Sequence, residues 1–109
     1  MEIDSLTIGE AKKLAELFGG KQSDHPWKIG KIYLVRTVTM IDTGRLVAVT
    51  EHELVLEDAA WIADTGRFAQ AVEAAEFGEV EPFPSGQVII GRGSIVDAVQ
   101  IKAVVRSQK

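Results

Sequence analysis

"GRLVAVTEHELVLEDA", Gly44–Ala59, sets the reading of this chain. Arg45–Thr50 ("RLVAVT") and Glu53–Ile62 ("ELVLEDAAWI") are runs of Val, Leu, Ala and Ile with the alternating character of half-buried strands. Only Glu51 and His52 separate them. Upstream, "GKIYLVRTVTMI" (Gly30–Ile41) has the same β-branched, period-two composition. Downstream come two more such runs, "QVIIGRG" (Gln87–Gly93) and "SIVDAVQIKAVV" (Ser94–Val105).

Two segments break this pattern. In "LTIGEAKKLAELFGG" (Leu6–Gly20), Thr7 and Glu10 have capping-box spacing, Gly19-Gly20 supplies a stop, and Ile8, Ala11, Leu14, Ala15 and Phe18 share one helical face. "DTGRFAQAVEAAEFG" (Asp64–Gly78) repeats Phe68, Val72 and Ala75 at helical spacing, with Gly78 as the expected end. "KQSDHPW" reads as a linker because Pro26 blocks a helix, and "EVEPFPSG" (Glu79–Gly86) reads as a loop. The expected order is helix, three strands, helix, two strands: a single domain over residues 1–109 that is mainly β with some α. Its parts are an N-terminal helix (1–20), three strands (30–62), a helical insertion and loop (63–86) and two strands (87–105). Short, mostly antiparallel strands with little helix suggest a small barrel.

Composition narrows the chemistry. The 109 residues are 46% hydrophobic and 26% charged, which is globular rather than disordered. With no cysteine there is no disulfide framework or thiolate chemistry, and two distant histidines make a poor metal site, so no metal or cofactor is expected. The acidic start "MEIDSLTIGE" and the lack of a long apolar run point to a cytoplasmic protein with no membrane partner. Net charge is −4. Between Glu51 and Glu81 nine acidic residues face one basic, Arg67, a balance that speaks against duplex DNA as a partner.

"IDTGR" at Ile41–Arg45 returns as "ADTGR" at Ala63–Arg67. The first is expected to be a turn between strands, with Asp42 structural, and the second a helix start capped by Asp64 or Thr65. A retroviral-type aspartic protease, with Asp42 catalytic, is the enzymatic alternative, because such subunits supply one carboxylate each. Against it, Arg45 stands where that family has a small residue, and an alanine-rich helix replaces the flap. No catalytic residue is assigned.

Two stretches carry a resemblance to the Sm/LSm (Hfq-type) family. Gly44–Ala59 is similar to its first motif, a Gly-x-Leu strand leading through a short loop to Leu-x-Leu, an acidic residue and Ala. "IIGRGSIVDAVQI" (Ile89–Ile101) is similar to its second, an apolar strand, Arg-Gly and another apolar strand. The resemblance implies a strongly bent, five-stranded antiparallel barrel, with the helical insertion between strands three and four. It also implies a homo-oligomeric ring of about five to seven subunits that acts as a non-enzymatic binding module, closed by pairing the fourth strand of one subunit with the fifth of the next. In such a ring His52 would stack on a base of single-stranded RNA or a nucleotide, Arg92 would flank the base, and Gly93 would give it room. Glu53 occupies the position of an amide, and a carboxylate there lacks the N–H donor. The chain also looks like small tailed-phage and prophage proteins, which implies the alternative of a structural or ligand- or protein-sequestering ring without RNA.

Overall fold

Val38–Met40 reverses the chain: Thr37 and Met40 exchange hydrogen bonds across this turn, the Thr37 hydroxyl among them. It joins β1 (Ile32–Thr37) to β2 (Ile41–Val49). The computed structural model describes residues 25–109; the helix expected at Leu6–Gly20 lies outside the described residues. After β2 come β3 (Glu53–Asp64), α1 (Phe68–Ala74), β4 (Glu79–Pro82), β5 (Val88–Gly91), a 3-10 turn (Arg92–Ser94) and β6 (Ile95–Ile101).

All the strand pairings are antiparallel, in the order β4-β3-β2-β1-β6, and β5 also pairs with β3. β4 lies against the C-terminal half of β3 (Ala60 opposite Pro82) and β5 against its N-terminal half (Leu56 opposite Val88). Together they form one edge strand interrupted by the loop at 83–87. The expected fourth strand is present as β5, and part of the expected loop, Glu79–Pro82, is an additional strand.

β3 bends where the edge strand is interrupted. Asp58 adopts a positive φ of 49°, and the register slips by one residue between Thr43–Ala60 and Arg45–Glu57. This is a β-bulge, which raises local twist. The Arg45 guanidinium donates to the Asp58 carboxylate at 2.6 Å and holds the extra residue. Opposite it, Gly44 has no room for a side chain: a Cβ would come within 2.8 Å of the Glu57 carbonyl oxygen and 3.1 Å of the Ala59 Cα.

The bulge distributes the core over both faces of the sheet. Leu54, Leu56 and Ala59 join Tyr33, Val35, Leu46 and Ile90 on one face. Ala60 and Ile62 join Leu34, Ala71, Phe77, Val80 and Ile101 on the other, where α1 packs. Arg36 on β1 and Asp97 on β6, directly opposite each other, form an exposed ion pair, with the Arg36 guanidinium also 4.8 Å from the Phe68 ring centre.

Three local expectations are corrected. Asp42–Arg45 is no turn; it runs inside β2, with Asp42 paired to Val35 and Trp61 and buried. Asp64 does not cap α1; its carboxylate accepts from the Gly66 N–H at 2.9 Å, and Arg67 holds the cap position without a side-chain bond. The helix ends at Ala74, three residues before Phe77, because Ala75 takes the left-handed conformation that Gly78 was expected to supply. Phe77 is thereby freed to reach the core on that face.

The chain end covers part of an edge. Lys109 and Val80 exchange backbone hydrogen bonds at 2.9 Å, so β4 is paired on its outer side, and the Arg106 guanidinium donates to the Ala59 carbonyl at 2.9 Å.

Candidate functional site

Thr50, with no room for a long connection between β2 and β3, makes the turn itself: its N–H donates to the Glu53 carbonyl at 2.9 Å and its hydroxyl accepts from the Glu53 N–H at 3.0 Å. The turn thrusts Glu51 and His52 outward, leaving their side chains 87% and 83% exposed. Imidazole and carboxylate approach only to 4.0 Å, too far for a hydrogen bond.

The β5–β6 connection arrives at the same end of the sheet, because Gly91 pairs with Glu53. The Ser94 hydroxyl donates to the Gly91 carbonyl at 2.7 Å and tightens the turn. The Arg92 N–H donates to the His52 carbonyl at 2.8 Å. Its guanidinium Nη1 donates to the Thr50 carbonyl at 2.6 Å and reaches the Glu51 carbonyl at 3.4 Å. His52, Glu53, Arg92 and Gly93 are thus brought to one end of the molecule. Gly91 and Gly93 have open space where a Cβ would stand, so a ligand can approach their backbone.

Arg92 has a structural task at this site that its sequence context does not reveal. One nitrogen ties the two loops together; among the described residues, Nε and Nη2 have no hydrogen-bond partner. Those two N–H edges are the ones a base or phosphate oxygen can accept from. Charge acts in the other direction: Glu51 and Glu53 flank the same spot, and carboxylates repel phosphate. Among the described residues no group of three metal-ligating side chains occurs, and no helix is long and apolar enough to cross a membrane.

Asp42, expected in a turn, lies within β2 at the opposite end from His52. Only 7% exposed, it lines an apolar pocket with Met40, Trp61 and Phe83, and burial pushes its carboxyl above the usual range. The pattern Asp-Thr-Gly looked like turn chemistry, and nothing local signals burial.

No family model and no curated protein sequence matches the chain. Among solved structures, the chain is similar to a heptameric archaeal Sm protein at 23% identity and a TM-score of 0.52, over 77% of this chain and 100% of that one. It is also similar to the SmAP1 heptamer of P. aerophilum, at 23% identity and a TM-score of 0.53, over 78% of this chain and 93% of that one. The fold is Sm-like: a strongly bent antiparallel sheet with a helix after its third strand.

Proposed function

We propose that this Sm-like chain assembles into a homo-oligomeric ring and binds single-stranded RNA at the end formed by His52, Glu53, Arg92 and Gly93. The observation that carries the reading is the juncture of the two loops, where Arg92 bridges turns that the fold brings together from distant parts of the sequence. Assembly is supported by unpaired edges. Among the described residues β6 has only β1 beside it and β5 only β3, and both carry exposed apolar side chains: Ile89 at 58%, Val96 at 66% and Val99 at 37%. An apolar open edge is a liability that joining β5 of one subunit to β6 of the next removes, and repetition closes a ring. Two solved structures of similar fold are heptamers.

Within such a ring, the weak contact of each subunit repeats and gains avidity. Arg92 offers its free N–H edge, His52 a stacking face worth about 1–3 kcal/mol per base at a good site, and Gly93 clearance. Fluorescence anisotropy with uridine-rich and adenine-rich oligonucleotides at low salt tests the reading. Binding should weaken in His52→Ala and strengthen, with a uridine preference, in Glu53→Asn, which removes a charge and adds an amide. If wild type and Glu53→Asn both fail to bind while the oligomer persists, the ring serves another ligand. The flanking carboxylates Glu51 and Glu53 are what favour that second reading, a ring that holds a protein or small ligand without RNA.

A further inference from the structure

A second concave site lies at the far end of β2, between the β1–β2 turn and the loop after β4. We propose that this pocket binds a small organic cation, an ammonium group carried on an aromatic or aliphatic body. Its volume, about 420 Å³, falls within the range of small-molecule sites and exceeds what one basic side chain fills. Met40, Trp61, Phe83 and Pro84 supply apolar walls, and Asp42 and Glu81 are the charged groups lining it. The strand registers explain the grouping: Asp42 is opposite Trp61, and Trp61 is opposite Glu81, so all three project to one face from three adjacent strands.

Asp42 makes the site specific. The residue as a whole is 7% exposed, and among the described residues its carboxylate makes no hydrogen bond or ion pair; it lines the pocket. A residue with a purely packing role at this position would be apolar, as Leu46 is further along the same face of β2. A carboxylate that lines an apolar pocket and is partly withdrawn from water gains by pairing with a cation there. The raised Asp42 titration agrees with that unpaired state. Aromatic faces at the rim attract an ammonium group through their quadrupoles. A hard metal ion fits poorly, because it requires several oxygen ligands and the pocket offers two carboxylates among apolar walls. This site is independent of the loop end and of any RNA bound there.

Benzyltrimethylammonium is a suitable probe, with benzyl alcohol as its neutral counterpart and benzenesulfonate as its anionic one. Titrations of the full chain, followed by calorimetry and by Trp61 fluorescence in a Trp27→Phe background, should show saturable binding of the ammonium compound alone. Asp42→Asn, which keeps the side chain's shape, should weaken it by about tenfold or more, and Glu81→Gln by less. Binding should also fade as pH falls and Asp42 is protonated. No saturable response at millimolar ammonium, equal binding of benzyl alcohol, or unchanged affinity in Asp42→Asn would each overturn the proposal. A response confined to lysine- or arginine-bearing peptides would overturn the small-molecule assignment. Should Asp42→Asn fold poorly, the comparison of the three probes on the wild-type chain still decides.

Discussion

Gly44 and Asp42 stand two residues apart on one face of β2 and are held by opposite constraints, one of space and one of charge. Gly44→Ala places a methyl group against backbone of the bulged strand, which cannot withdraw as a flexible side chain could. It should lower stability by about 1–3 kcal/mol, read as a shift in the urea midpoint at unchanged slope. Asp42 acts through protonation. Its folded-state value is raised, so the native protein holds this proton more tightly than the unfolded chain does. Its contribution to stability is present below the ordinary carboxylate range and is lost as pH rises through the raised value. Asp42→Asn should therefore show a stability gain over wild type that grows across that window and then stays constant. Urea unfolding at several pH values measures it, and a gain that grows toward low pH would contradict the assignment.

At the scale of elements, the strands flanking Glu51-His52 were legible because alternation and a two-residue break leave little freedom. β4 was not. Glu79 and Glu81 bracket a single apolar residue, Val80, and Pro82 and Pro84 read as loop, although an edge strand tolerates proline. What makes the segment a strand is its register against Ile62 and its contact with the chain end, both long-range. The helix end at Ala75 was equally hidden, since alanine gives no local signal for the left-handed conformation. The loop end was legible from motif resemblance, but the bond from Arg92 to the Thr50 carbonyl needs two segments forty-two residues apart to meet. α1 packs through Ala71, which is fully buried. Ala71→Leu should force the helix off the sheet and cost about 1–3 kcal/mol, seen as a lower melting temperature with faster amide exchange in residues 68–77.

For the whole molecule, the arrangement of edges decides how copies can meet. Residue 109 closes the outer side of β4 at Val80, and among the described residues no strand pairs with the outer edges of β5 and β6. Placing charges there, as Ile89→Lys with Val99→Lys, should leave the far-ultraviolet circular dichroism unchanged and convert the proposed ring to monomer in native mass spectrometry. A ring that survives both substitutions would place the contact elsewhere.

The bulge at Asp58 has a genetic reading. Leu54, Leu56, Ala60 and Ile62 all have even numbers, and in a regular strand they would crowd one face; one supernumerary residue sends the first two to one core and the last two to the other. Losing that codon in frame would leave every side chain facing as it does now, because the regular alternation would resume with Ala59 in Asp58's place. What would vanish is the curvature, with Gly44 facing a straight neighbour and the sheet flattening. Sidedness and curvature are thus separately heritable in β3. A substitution such as Asp58→Gly keeps the extra residue and relieves the positive φ while giving up the bond from Arg45, whereas a three-nucleotide deletion keeps the sidedness and forfeits the curvature.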